Sequence, residues 1–128
     1  MPTKTFHIGD ILSVTTSRLV SPSHIGGVYS ILNWMTGDNL MTHQLPRVAG
    51  ECAPSLRDQF PDLAAITLLP DFSGKADVDR WLAKQVAVYG ETREVAPLAA
   101  GDHTYIDPIT EIRQVAPHAK IIAVEVPE

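Results

Sequence analysis

The sequence predicts an α+β fold: N-terminal helices, then a small mixed or antiparallel sheet with packed helices, all in a single compact domain over residues 1–128. Three observations lead there. Apolar stripes at helical spacing occur in both halves of the chain, and two apolar runs of strand length lie in the C-terminal half. No internal repeat, low-complexity stretch or long linker divides the 128 residues.

The elements follow in order. Ile8, Ile11, Leu12 and Thr15 sit at helical offsets, which predicts a short helix that β-branched Val14-Thr15-Thr16 weakens and packing must hold. Ser21-Pro22-Ser23 reads as the start of a second helix, Pro in its first turn and Ser as cap. Ile25, Val28, Tyr29, Leu32 and Met35 give that helix one continuous apolar face, and Gly37 supplies a left-handed stop. Gly26-Gly27 inside it points to close packing. From Asp38 to Asp62 the pattern is irregular, with a short helix over about 54–59 that takes Pro54 as its first residue.

Leu63–Leu69, closed by Pro70-Asp71, predicts a buried strand. Val78, Trp81, Leu82, Val86 and Tyr89, stopped by Gly90, form the clearest helical stripe in the chain. Arg93–Ala96 reads as a short strand. Asp107-Pro108 opens a further helix with Asp as cap and Glu111 in the first turn, ending near Val115–Pro117. Lys120–Val126 is β-branched and predicts a terminal strand.

Composition excludes several classes. One cysteine, Cys52, leaves no disulfide framework and no multi-thiolate zinc site. The N-terminus is too polar for a signal peptide, and no apolar run approaches the roughly 18 residues of a membrane span, so the expectation is a cytoplasmic protein with no membrane partner. Ten basic against fifteen acidic residues give a net charge of −5, which disfavours direct nucleic-acid binding.

Recognised catalytic spacings are missing. The five histidines, His7, His24, His43, His103 and His118, form no helical metal-ligand pair, and no metal is expected, although a spatial set such as His43, His103 and Asp107 stays open. There is no phosphate-binding glycine loop and no nucleophile elbow, so no cofactor is implied. Cys52 has Glu51 beside it and no cation, which suppresses the thiolate and predicts an inert, partly buried thiol.

The richest polar stretch runs from Thr36 to Arg47 and offers Asp38, Asn39, Met41, His43, Gln44 and Arg47 as a candidate partner-binding loop. The same residues also have a structural reading: Asp38 and Asn39 as turn residues, Thr42 and Gln44 satisfying backbone, and Arg47 pairing with Glu51 one helical turn on. A second cluster, Gly101–Pro108, has helix capping as its ordinary explanation.

The strings Gly9-Asp10-Ile11-Leu12-Ser13, Leu32–Asp38 and Thr42-His43-Gln44-Leu45-Pro46-Arg47 resemble a family of small uncharacterised proteins of bacteriophages and prophages, and the likeness extends through Trp81-Leu82 and Asp107-Pro108-Ile109. The resemblance lends no activity. It implies a phage or mobile-element setting inside a bacterial host cell, where small acidic proteins often inhibit a host protein.

Three functions compete. A non-enzymatic protein-binding factor, for example an anti-CRISPR-like inhibitor of host defence, would use Trp34, Met41 and Arg47 as anchors against a host protein. It expects His43 and Arg47 to be expendable for folding. A small enzyme would pair His43 with Asp38, or His103 with Asp107, for acid–base work in a pocket. A phage structural protein or homo-oligomer would pair through the terminal strand, Ile121 to Val126.

Overall fold

The computed structural model describes residues 2–67, 69–99 and 101–115. The order is β1 (Lys4–His7), α1 (Ile8–Thr16), α2 (Ile25–Thr36), a 3-10 turn (Thr42–Gln44), α3 (Leu45–Gln59), α4 (Pro61–Ala64), α5 (Lys75–Tyr89), β2 (Thr92–Val95) and α6 (Pro108–Val115). The architecture is α+β, mostly helical, with one two-stranded antiparallel sheet among the described residues. No described helix is long and apolar enough to cross a membrane.

α1 is the centre. Its residues Ile8 to Thr15 are all buried, and the helix packs against β1, α2 and α3. A helix closed in on every side needs its polar groups answered internally. Ser13 Oγ donates to Gly9 O at 2.7 Å and accepts from Val20 N, Asp10 accepts from Ser21 Oγ, and Arg57 of α3 donates to Thr15 O at 2.9 Å. Tertiary packing of Ile8, Ile11, Leu12 and Val14 thus overrides the weak helix propensity of the Val14-Thr15-Thr16 run.

α2 buries Val28, Leu32 and Met35 of the expected stripe, leaves Tyr29 half-buried and Ile25 47 % exposed, adds Ile31 to the buried face, and ends at Gly37, left-handed at φ 69°. Its start differs from expectation. The helix opens at Ile25, and Ser21 does not cap it; Ser21 Oγ reaches back to Asp10 and accepts from Ser23 N, holding the turn. Only one of the paired glycines answers to close packing: a side chain on Gly27 would run into Asp10 and Ser21, whereas Gly26 faces open space.

Two further expectations are corrected. The helix expected to begin at Pro54 begins at Leu45, with Pro46 in its first turn and Pro54 inside it. The ring of Pro54 faces solvent, while Leu45, Val48, Cys52, Ala53 and Leu56 bury the opposite side, and that apolar face carries the helix through the lost hydrogen bond. The described residues of the 63–69 stretch, which leave out Leu68, form no strand: Pro61 starts a single helical turn that buries Leu63, and Ile66 and Leu69 pack against the core from irregular chain. A short apolar run has the same composition either way.

α5 spans the predicted stripe and ends at Gly90, although Leu82 alone is fully buried; Trp81 packs edge-on to Phe72, with ring centroids 5.9 Å apart. β2 matches the expected strand and pairs with β1, Phe6 opposite Arg93. β1 was not foreseen, since a strand with one buried residue, Phe6, leaves almost no periodic trace. After β2 the chain is tied to α3 by Gln59, which donates to Ala96 O and accepts from Ala96 N at 2.9 Å. The predicted strand over 120–126 lies outside the described residues.

The two glycines generate a prediction. Gly27→Ala should destabilise the fold by about 2 kcal/mol through overpacking against Asp10 and Ser21. Gly26→Ala, in open space on the same helix, should be neutral or stabilising by up to about 1 kcal/mol. Urea unfolding of both variants checks the contrast.

Candidate functional site

The chain's polar groups concentrate where the 101–111 segment crosses the start of α3. Gly37 turns the chain out of α2, and the 3-10 turn carries it into α3, so that Gln44, Arg47 and Glu51 rise along one side of that helix. Glu111, in the first turn of α6, meets them. Its carboxylate is almost wholly removed from water, the residue being 2 % exposed. Arg47 Nε donates to Glu111 Oε2 at 2.7 Å and its second terminal nitrogen to Oε1 at 2.8 Å, while Gln44 Nε2 adds a third bond at 3.0 Å. A two-pronged guanidinium–carboxylate pair of this kind is the geometry in which a buried charge is tolerated.

Arg47 also reaches outward. Its remaining terminal nitrogen donates to Glu51 at 2.9 Å and to Thr104 O at 2.8 Å. Glu51 in turn accepts from Thr104 N at 3.1 Å and from His103 Nδ1 at 2.6 Å, and the opposite ring nitrogen of His103 lies 3.0 Å from Asp38 Oδ2. The charges form one chain: Glu111, Arg47, Glu51, His103, Asp38. Alongside it, Gln44 donates to Ile106 O, and His43 Nε2 donates to Pro108 O at 2.7 Å.

The contacts move the proton affinities in definite directions. The bonds from Arg47 hold the Glu111 carboxyl below its usual range; burial opposes them, and Gln44 assists. The bond to Glu111 raises Arg47 further above its ordinary value against the opposing effect of burial. For His103, burial favours the neutral ring, but the bonds to Glu51 and Asp38 outweigh it, and the pKa is raised above 6.5. Burial, with the Glu51 charge beside it, pushes the Cys52 thiol up to about 12, so Cys52 is the inert thiol its neighbours predict, fully rather than partly buried.

The loop residues singled out from sequence divide into two groups. Asp38, His43, Gln44 and Arg47 turn inward to the 101–111 segment or its helix. Asn39 and Met41 are exposed, Met41 at 54 %. Trp34 is half-buried and donates from its indole to Val95 O, so it belongs to the packing.

The pairings considered for acid–base work are not formed. Asp38 binds His103 rather than His43, and Asp107 caps α6 through Ile109 N and Thr110 N. Among the described residues no group of three or more His, Cys, Asp or Glu side chains is arranged to hold a metal ion. Arg47 is a strut between α3 and α6, which revises the expectation that it is expendable for folding. Glu111, read from sequence as a dipole-complementing first-turn acid, is the partner that sequence reasoning missed; it lies 64 residues from Arg47, and only the Arg47–Glu51 spacing was visible locally.

Two grooves flank the cluster. One, about 600 Å³, runs between the outer face of α3 and the 96–102 stretch and is lined by Glu51, Asp58 and Asp102 with Ser55 and Gln59. The other, about 470 Å³, lies between α1, α2 and α3 and is mainly apolar, with Val14, Leu19, Ile25, Val28, Leu45 and Ala53 on its walls.

Residues 6–66 match a family described only as a domain of unknown function, DUF7736. No curated protein and no solved structure matches the chain. The matched stretch runs from β1 to just beyond α4, so Asp38, Arg47 and Glu51 fall within it and their partners His103 and Glu111 outside it.

Replacing Arg47 with Met leaves a buried carboxylate without its counter-ion, and the loss should be about 2–3 kcal/mol at pH 7, somewhat less than the roughly 3–5 kcal/mol of a fully buried broken pair because Arg47 is itself 27 % exposed. Glu111 has a depressed pKa, so its contribution is present above the ordinary carboxylate range and is lost as the pH falls through the folded value. The gap between wild type and Arg47→Met, followed by urea unfolding from pH 7 down to about pH 3, should therefore narrow.

Proposed function

We propose that this protein is a non-enzymatic protein-binding factor of a phage or prophage, which acts in the bacterial host cell by occupying a host protein, as an anti-CRISPR-like inhibitor of host defence does. The observation that carries the reading is the saturation of the polar cluster. Each acid and base that chemistry would need, Asp38, Glu51, His103 and Glu111, is bonded to another side chain of the same network. Such groups hold a surface in shape rather than wait for a substrate.

The surface so held has the makings of a contact face. Tyr105 and Ile109, 66 % and 42 % exposed, ride on the segment that the network fastens, and the exposed Met41 immediately precedes the 3-10 turn. Tyr and Met are enriched where proteins meet. The acidic groove with Glu51, Asp58 and Asp102, on a chain of net charge −5, suits a basic host surface of the kind that otherwise takes nucleic acid. The phage setting is supported by the sequence resemblance alone.

The test uses the tagged full chain to capture a partner from bacterial lysate, followed by binding measurements with the purified partner. A one-to-one complex is expected that weakens as salt rises and loses roughly thirtyfold in affinity in Tyr105→Ala. No stoichiometric partner, or a complex indifferent to both salt and Tyr105→Ala, contradicts the reading.

A further inference from the structure

His103 occupies a position that a neutral imidazole cannot fill. Both ring nitrogens face carboxylates, Nδ1 at 2.6 Å from Glu51 Oε1 and Nε2 at 3.0 Å from Asp38 Oδ2. A neutral ring carries one N–H, so it satisfies one carboxylate and turns a lone pair toward the other. Imidazolium donates to both. The two acids belong to different parts of the fold, Glu51 to α3 and Asp38 to the loop that leaves α2, so the charged ring ties the 101–104 stretch to two elements at once.

We infer that residues 101–104 form a proton-operated latch, closed onto α3 and the end of α2 while the His103 ring is doubly protonated and loosened when it gives up one proton. The charged groups around the ring are consistent in sign. From α3 come Glu51 and, on that acid's other oxygen, Arg47; from the α2 side comes Asp38; Asp102 precedes the ring in its own segment. The ring side chain is 13 % exposed, enough for exchange of its proton with water.

The direction in pH follows. Burial favours the neutral ring, the two carboxylates outweigh it, and the pKa in the folded chain lies above 6.5. A raised histidine pKa contributes stability that is complete below the unfolded value and disappears as the pH climbs through the folded one. The latch is thus closed in mild acid and opens as the pH climbs through a midpoint above 6.5. Thr104 is its natural reporter, because its N–H donates to the same Glu51 carboxylate at 3.1 Å. Tyr105 follows directly, so partner capture should weaken over the same pH range; that consequence rests on the binding reading above, and the latch itself does not.

The experiment is a nuclear magnetic resonance titration of the full chain from about pH 5 to about pH 9, reading the His103 ring shifts and, corrected for intrinsic exchange, the protection of the Thr104 amide. Thr104 protection should drop roughly fivefold, the factor for one hydrogen bond of ordinary net strength, with the same midpoint as the ring and above 6.5. In Asp38→Asn both midpoints should move together to lower pH. A ring that titrates at or below 6.5, or a Thr104 amide whose protection ignores the titration, overturns the latch in the wild-type chain with no variant needed.

Discussion

A carboxylate with almost no water around it sets the terms for the C-terminal half of the described structure. Glu111 is 2 % exposed, and a charge so placed persists only with a counter-ion and bonds to both oxygens. Arg47, in the first turn of α3, and Gln44, at the end of the 3-10 turn that leads into it, supply them. Because Arg47 must lie alongside Glu111, α6 is drawn to the beginning of α3, and the chain between residues 101 and 108 has to cross the same helix. The further links, Arg47 to Glu51 and Thr104, Glu51 to His103, His103 to Asp38, extend outward from that pair in alternating charge. α1 plays the corresponding part for the other half, where burial on every side, rather than charge, fixes the neighbours.

How much of this was legible depended on distance along the chain. α2 and α5 were readable because their apolar residues recur every three or four positions and a glycine ends each. The Asp107 cap was readable because its partners are Ile109 and Thr110. Pro54 misled, since a proline at a helix start and a proline on the wet side of a helix look alike until the packed face of α3 is known. The 63–69 run misled because burial without periodicity suits either a strand or irregular chain.

The candidate site was half legible for the same reason. Arg47 with Glu51, one turn apart, was foreseen; Arg47 with Glu111 and His103 with Asp38, 64 and 65 residues apart, were not, because nothing local in either segment announces a partner so far away. The composition of Asp38, Asn39, Met41, His43, Gln44 and Arg47 suits a partner-binding loop or ordinary turn and backbone-satisfying residues alike, and the fold bonds Asp38, His43, Gln44 and Arg47 to residues of their own chain. Among the exposed residues there, Met41, Tyr105 and Ile109 are apolar or amphipathic, Asn39 is polar, and they sit on the two segments the charges join. A protein-binding reading thus separates the groups that hold the face from the groups that offer contact.

The measurement closest to the centre of this picture is a double-mutant cycle at pH 7 on Arg47→Met, Glu111→Gln and the double variant, each unfolded in urea. Coupling of about 1.5–3 kcal/mol is expected, with the double variant more stable than the sum of the single losses predicts. Coupling below about 0.5 kcal/mol would mean that the two residues act independently and that α6 is held to α3 by other contacts.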